Sequence, residues 1–530
     1  MNASSQHQPA LIRSLLKADS YDHPVKDIQL IETHISWVIL TGAFAYKIKK
    51  PVNLGFLDFS TLEKRLFCCQ EELRLNSRLA AKIYQEVVPI SGSPEQPVLR
   101  GAGEAIEYAI KMVQFPQRAQ LDNMLANDEL EPHHIDAIAY LVAEFHRTTA
   151  IAAQDSEFGN PQQVYHPVDE NFRQIRQHPL NSTHQELLAG LEHWGKTTFS
   201  SLTPVFEQRK RDGFIRECHG DMHLRNLVWF NNQALAFDCL EFNPALRWID
   251  TMSEIAFLVM DLQDRSQPML AQRLLNRYLE QCGDYAGTQV LRFYLVYRAM
   301  VRAKVDAIRA GQDGISASEK RDAEEGFSTY LKLARAYTLP IKPKLIITRG
   351  LSASGKSTLT QPLMESMGAI RIRSDIERKR LFGLQPGEDS AAGIEQGIYS
   401  AEAGVKTYDQ LRALSALVLK AGYSVIVDAA FLKYEQRQPF VQLADEMQIA
   451  FVMLEFTATA ATLRQRIRAR VDDVSDAGLS VLEHQLATVK PLDDSELPFC
   501  IEIDTEKDVN LTQLVEAIEQ LGDSEREPNK

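Results

Sequence analysis

Residues 344–357 read KLIITRGLSASGKS, and no other stretch of the chain constrains its fold as strongly. An apolar strand runs into the pattern G-x-x-x-x-G-K-[ST], and STLTQPLMESM carries on as a helix. In that context the glycines let backbone N–H groups face a phosphate, and the helix N-terminus adds its dipole. Gly350, Ser352, Ala353, Ser354 and Gly355 form the cradle. Lys356 is placed to reach β- and γ-phosphates, Ser357 to ligate Mg2+, and Thr358 to touch an α-phosphate. The reading is an ATP and Mg2+ site.

The residues that follow keep alternating. Strands are expected at 344–349, 369–373, 423–428, 449–455 and 499–503, with helices at 356–367, 407–421, 433–446, 459–470 and 509–521. Strand–helix alternation implies a parallel sheet covered on both faces. Ligands of such sheets sit at the carboxyl ends of the strands. IRIRSD (370–375) puts Asp375 at one such end, a candidate base for an acceptor hydroxyl. YSVIVDAAF (423–431) puts Asp428 at another, a candidate organiser of Mg2+ or water. RQRIRAR (464–470) precedes VDDVSDAG and reads either as a solvated helix face or as a lid whose arginines close over phosphates. Arg466 and Arg470 lie four apart and share a face. Arg378 and Arg437 read either as contacts to substrate or phosphate or as surface ion pairs.

The chain has 530 residues, enough for two or three cores. YTLPIKPK (337–344) marks a boundary, because Pro340 and Pro343 end a helical region that begins near 247. The expected organisation is a first domain at 1–336, a linker at 337–343, a second domain at 344–522 and a frayed tail at 523–530. The first domain divides into a small mixed lobe at about 30–115 and a helical lobe at about 116–336.

HGDMHLRN (219–226) is the chemistry-bearing stretch of that first domain. Its alternating His219, Asp221 and His223 suit a transition metal in isolation, but no further His or Cys cluster stands nearby. A plain polar turn is the other alternative. Phosphotransfer accounts for more residues. Kinase catalytic loops hold an Asp against the acceptor hydroxyl and an Asn on Mg2+ with the offset that separates Asp221 from Asn226. LVWFNNQALAFD then supplies a hairpin ending in Asp238, a second oxygen ligand for a hard cation.

H-G-D-x-H-x-x-N with FDCLEFN (237–243) resembles the aminoglycoside phosphotransferase and choline-kinase-like enzymes, over roughly residues 30–335. The resemblance implies a protein-kinase-like α+β bilobal fold and transfer of phosphate from ATP to a hydroxyl of a small molecule. It assigns Asp221 to the acceptor hydroxyl, Asn226 and Asp238 to Mg2+, and the two histidines to bracing the loop. It also asks for a Lys on the ATP phosphates and a helical Glu to hold it. FAYK (44–47) nominates Lys47, and strand alternation puts Lys49 on the same face, so both stand. Glu72 is the helical partner, with Glu71 its neighbour. Glu241 lies in the metal-binding segment with no assigned role. No G-x-G-x-x-G precedes Lys47, which is unlike a protein kinase. KMVQF (111–115) fits the adenine hinge.

Residues 344–522 resemble the P-loop kinases grouped with gluconate kinase, zeta toxin and the polynucleotide 5′-kinase domain. The order of the two halves is similar to bacterial fusions of an aminoglycoside phosphotransferase-like domain with a zeta-toxin-like ATP-binding domain. The expectation is a bifunctional phosphotransferase with an α/β P-loop NTPase domain as its second half. Two alternatives stand beside it: one domain is a nucleotide-binding switch for the other, or the P-loop domain phosphorylates polynucleotide 5′-hydroxyls.

Composition narrows the partners. The formal charge of −13 gives no general attraction to nucleic acid or anionic membrane. No apolar run approaches the roughly 18–20 residues of a membrane helix. The six cysteines show no paired C-x-x-C spacing, so reduced thiols in a cytoplasm are expected.

Overall fold

The computed structural model describes residues 3–53, 55, 57–312, 315–385, 388, 398, 400–469 and 478–524. Contacts divide the chain into two compact units, Met1–Pro167 with Phe206–Asp261, and Val168–Val205 with Leu262–Lys530.

The first unit opens with helix α1 (Ala3–Leu15), then strands β1 (Gln29–Glu32), β2 (Ser36–Leu40) and β3 (Phe44–Lys49). Helix α2 (Leu62–Ala80) precedes β4 (Tyr84–Ser93), β5 (Gln96–Leu99) and β6 (Ala105–Val113). The six strands pair antiparallel in the order β1-β2-β3-β6-β4-β5. The turn expected near Thr41–Gly42 joins β2 to β3, with Gly42 at φ +95° and Thr41 N–H donating to Phe44 O. Period-two alternation decides what β3 faces. Tyr46 and Ile48 pack on Leu11, Ile12 and Leu15 of α1. Ala45 packs on the other side with Cys69 and Ala80 of α2. Lys47 and Lys49 share that second side, which aims two ammonium groups at α2.

Helices α3 (Leu121–Ala126), α4 (Pro132–Thr148), α5 (Pro161–Ile175) and α6 (Ser182–Arg211) follow, then β7 (Ile215–Glu217), β8 (Leu227–Phe230), β9 (Gln233–Ala236), β10 (Trp248–Asp250) and α7 (Thr251–Asp264). β8 and β9 form a hairpin with Leu227 opposite Ala236. Its Asn231–Asn232 turn has positive φ at both residues, +51° and +57°, as a tight two-residue hairpin turn requires.

The second unit takes most of α5 and α6 and holds α8 (Pro268–Cys282), α9 (Thr288–Ala310), α10 (Ala317–Thr338), β11 (Lys344–Arg349), α11 (Lys356–Met367), β12 (Ile370–Arg373), α12 (Ser374–Leu381) and α13 (Ala401–Lys420). It continues with β13 (Val425–Asp428), α14 (Tyr434–Met447), β14 (Ala450–Thr457), α15 (Ala460–Arg468), α16 (Leu479–Thr488), β15 (Cys500–Asp504) and α17 (Leu511–Ser524). The five strands run parallel in the order β12-β13-β11-β14-β15. One core lies between this sheet and helices α11 and α17, built on Ile346, Leu363, Ile426, Val452, Leu454 and Ile518. All five expected strands are present, each within about two residues at its ends, the usual scatter of element boundaries. The short helices α12 and α16 were not expected. Residues 262–338, read from the sequence as part of the first domain, share the second unit with the parallel sheet. Among the described residues no helix is long and apolar enough to cross a membrane.

Candidate active sites

In the first unit, Glu72 of α2 lies fully buried between the two lysines of β3. Lys47 Nζ is 2.8 Å from Glu72 Oε1, and Lys49 Nζ is 2.6 Å from Oε2. The lysines part company at their second partners. Lys47 also meets Asp238 at 2.5 Å, whose side chain is 47% exposed. Lys49, 1% exposed, meets the buried Glu241. The structure therefore gives Lys47 the open side and Lys49 the closed one. Glu71 turns away to Arg74. Burial alone would raise the Glu72 carboxyl, but the two ammonium groups hold it down at about 2. For both lysines burial opposes the charge, and the surrounding carboxylates overcome it and raise the pKa. Glu241 is pushed up, first by burial and also by the Glu72 charge, against the pull of Lys49.

The loop after β7 carries HGDMHLRN. Gly220 has φ +89°, and a Cβ there would lie 2.7 Å from Leu246 O, so the position admits only glycine without a shift. His219 is fully buried, with Nε2 2.9 Å from Phe237 O and Nδ1 3.4 Å from Asp221 N–H. Burial lowers its pKa, so the ring is a neutral brace. His223 Nε2 lies 3.5 Å from Asp221 Oδ2. The alternating residues thus do not assemble as a metal clip. The metal-capable grouping among the described residues is instead His146, Cys218 and Glu254. Glu254 is committed there to the loop: it accepts from Gly220 N–H at 2.7 Å and lies 2.9 Å from His146 Nε2. Asp261 accepts from Leu224 N–H at 2.9 Å. These two carboxylates of α7 pin the loop from below, and both were missed. The available signal was two acids seven apart, on one helix face, inside the apolar run EIAFLVMD.

Asn226 donates through Nδ2 to Asp221 O at 2.9 Å and to Asp221 Oδ2 at 3.2 Å. Its amide is planar, so the carbonyl oxygen points the other way. Asn226 O accepts from Phe237 N–H, which sets Asp238 immediately beyond the hairpin's base. Asp238 holds φ +65°, an uncommon conformation for a non-glycine residue. Tyr84 Oη accepts from its N–H at 3.2 Å. The structure brings Lys47, Glu72 and Asp238 into direct contact, and Asp221 into contact with Asn226. An amide oxygen and a carboxylate are hard donors that suit Mg2+.

In the second unit the strand-turn-helix around Gly350 borders a cavity of about 800 Å³. Ser352, Ala353, Ser354, Gly355, Lys356, Ser357 and Thr358 line it, together with Asp375, Arg378, Asp428 and Arg466. A Cβ on Gly350 would lie 2.6 Å from Ser354 Oγ and 2.7 Å from Phe456 O, and Gly355 holds φ +88°. The loop therefore closes only with glycine at these positions, as a cradle of backbone N–H groups demands. Lys356 Nζ donates to Gly350 O at 2.9 Å and Leu351 O at 2.7 Å. Asp428 Oδ2 accepts from Thr360 Oγ1 at 3.2 Å. Burial raises the Asp375 carboxyl above its ordinary value; Arg373 works against this, and the Asp428 charge adds to it.

The lid arginines fare differently. Arg466 lines the cavity but is tied to Thr505 O at 2.7 Å, Thr505 Oγ1 at 2.9 Å and Ala353 O at 3.4 Å. Arg470 lies outside the described residues. Arg437 forks onto buried Glu496 with two 2.6 Å bonds, so it braces α14 instead of facing substrate. Gln485 of the unexpected α16 accepts from Ser352 N–H at 2.8 Å.

A protein-family profile described as an AAA domain matches residues 345–492. An uncharacterized protein of Mycobacterium tuberculosis (strain ATCC 25618 / H37Rv) is 31% identical over 464 residues, 86% of this chain and 89% of the relative. Its counterpart in Mycobacterium bovis matches equally. Among solved structures, a choline/ethanolamine kinase family protein from Mesorhizobium loti is similar at 10% identity and a TM-score of 0.38, covering 62% of this chain and 99% of its own. A gluconokinase from Sinorhizobium meliloti 1021 is similar at 18% identity and a TM-score of 0.26, covering 36% and 99%. The mycobacterial alignment covers most of both chains at 31% identity, so the chain belongs to the same family as these mycobacterial proteins, with a P-loop domain at residues 345–492.

Proposed function

We propose that the chain is an ATP- and Mg2+-dependent phosphotransferase that acts on a hydroxyl of a small molecule through its first site, with a second phosphotransfer site at the P-loop. The observation that carries this reading is the shared Glu72, which holds Lys47 against Asp238 while Asp221 stands hydrogen-bonded to Asn226. Asp221 orients or deprotonates the acceptor. Asn226 and Asp238 hold Mg2+, and Lys47 meets the ATP phosphates. In the second site Lys356 turns from its loop carbonyls to phosphate, Ser357 and Asp428 serve Mg2+, and Asp375 serves the acceptor. Bound MgATP supplies the transferable phosphoryl group. The protein contributes position and fixed charge, which is most of what phosphoryl transfer needs.

The test replaces Asp221 and Asp375 separately by Asn and measures ATP-dependent phosphorylation across hydroxyl metabolites and a 5′-hydroxyl oligonucleotide. Each substitution is expected to remove one activity and leave the other. Asp375→Asn should cost about a hundredfold at the second site, within the range for loss of a positioned base. If it changes nothing while Lys356→Ala silences the first site, the P-loop unit is a switch. Phosphorylation of the oligonucleotide would move the acceptor class to nucleic acid.

Asp375 also fixes a pH dependence. A base must be ionised to accept a proton, so the second activity rises with pH through the Asp375 pKa. That pKa is raised, so the acid limb should lie above the ordinary aspartate value of about 3.9. A rate profile that stays flat down to the ordinary aspartate value would remove Asp375 from this role.

A further inference from the structure

Arg371 is among the largest fully buried side chains of the protein, and the phosphotransfer reading gives it no task. It stands on β12, the edge strand that leads into Asp375. Its guanidinium joins three elements. Nη2 lies 2.8 Å from Glu280 Oε1 of α8 and 2.8 Å from Gln361 Oε1 of α11. Nη1 lies 3.3 Å from Ser357 O and 3.4 Å from Thr360 Oγ1, in the first turns of the phosphate-binding helix.

The Thr360 hydroxyl has a choice of acceptors, Ser357 O at 3.4 Å and Asp428 Oδ2 at 3.2 Å. Arg371 donates to Ser357 O and to a lone pair of Thr360 Oγ1. That leaves the hydroxyl proton to Asp428. Asp428 Oδ2 is then occupied, and the other oxygen is left for a cation or its water. The same guanidinium fixes the backbone of Ser357. A planar fork can do this and a lysine ammonium cannot.

Helix α8 holds the arrangement from outside the P-loop fold. Edge strands present unpaired backbone groups, and here α8 pairs them. Asn276 accepts from Arg371 N–H at 2.7 Å and donates to Ala369 O at 3.1 Å, as a neighbouring strand would. Gln272 adds a 2.6 Å bond to Ala369 O. At the helix end, Arg380 of α12 donates to Glu280 O at 2.6 Å, so the helix that carries Asp375 is anchored to the same turn.

We infer that Arg371, held by Glu280 of α8, is a positioning residue that orients Ser357 and the Thr360–Asp428 pair for Mg2+ in the second site. The inference rests on the reading of that site as a MgATP site. It makes α8 a working part of the second site, although α8 lies outside the stretch that carries the P-loop resemblance.

The test uses the full chain and calorimetric titration of a non-hydrolysable ATP analogue across a range of Mg2+ concentrations. The second site is identified as the binding that Lys356→Ala removes. Three variants are compared: Arg371→Lys, the paired Arg371→Met with Glu280→Gln, and Thr360→Val. The pair removes the buried Arg371 charge together with the carboxylate that faces it, and Arg277, the other partner of Glu280, is 28% exposed and can turn to solvent. Thr360→Val removes the hydroxyl and leaves the ion pair untouched. Each is expected to need about ten- to a hundredfold more Mg2+ for the same occupancy, the usual cost of losing a partner that orients a metal ligand. Binding without metal should stay near that of the parent in Thr360→Val, and its melting temperature should fall by only a few degrees, as the loss of one buried hydroxyl predicts. Normal Mg2+ dependence in Thr360→Val, or in either folded Arg371 variant, overturns the inference and leaves Arg371 a structural ion pair. If Lys356→Ala removes no binding, the nucleotide reading of the site fails first, and the inference falls with it.

Discussion

Asp221→Asn should lower phosphorylation of the first site's acceptor by about 10²–10⁴-fold, the range for losing a positioned general base. The KM for ATP should hardly move, because Asp221 has no part in holding Lys47. Geometry makes the substitution clean. The Asp221 side chain is 34% exposed, so an acceptor can reach it and an amide there buries no new polar group. The Asn226 bond to Asp221 O is a backbone contact that survives, so the loop keeps its shape. The melting temperature should therefore be unchanged while kcat collapses. The loop's support predicts a contrasting phenotype. Glu254→Ala would leave Gly220 N–H and His146 without their acceptor in a buried place, and should lose stability and activity together. If Asp221→Asn keeps full activity towards every acceptor that the parent phosphorylates, the first site's chemistry lies elsewhere.

The sequence named the residues that the structure gathers at the two candidate sites better than it named their supports. Buried parallel strands read as short apolar runs bounded by Gly, Pro and charge, and this is why all five strands of the second sheet were legible. The order in which they pair was not legible, since nothing in a strand's own residues names its neighbour. The Lys-Glu-Asp-Asn-Asp series could be picked out because the phosphotransfer reading asks for particular atoms at particular spacings. The residues that hold those groups obey no such spacing. Glu496 forks onto Arg437 across 59 positions, and Glu280 reaches Arg371 across 91. Each half of such a pair, alone in the sequence, looks like a surface charge. Residues 262–338 followed the same rule. Their helices were visible, but their partner was not, and the prolines at 340 and 343 marked a break in the chain where contacts make none. The choice between Lys47 and Lys49 was open for a geometric reason. Alternation puts both on one face, and only the positions of Asp238 and Glu241 separate them.

That separation makes opposite phenotypes for two lysines two residues apart. Lys49→Met should destabilise the protein by about 3–5 kcal/mol, the usual cost of breaking a buried ion pair from one side. Lys49 is 1% exposed, and its carboxylate partners Glu72 and Glu241 are 0% and 5% exposed, so water cannot replace it. Lys47→Met should cost much less. Glu72 keeps Lys49, and Asp238, 47% exposed, can turn to solvent. Its loss should appear instead as weaker ATP use at the first site, since the phosphates lose their ammonium. The pH dependence of stability separates the two further. In the parent, Glu72 is depressed to about 2, so its contribution is present above the ordinary glutamate range and fades as pH falls towards that value. In Lys49→Met, Glu72 keeps Lys47, but Glu241 loses the ammonium that opposed its burial, so its folded pKa, already raised in the parent, rises further. The contribution of Glu241 to the variant's stability is then greatest below its unfolded pKa and is lost as pH rises through the folded one. Urea unfolding from pH 4 to pH 8 should show its deficit widening with pH, while Lys47→Met tracks the parent. A Lys49→Met protein that is stable but inactive, beside a fully active Lys47→Met, would reverse the assignment and put Lys49 on the phosphates.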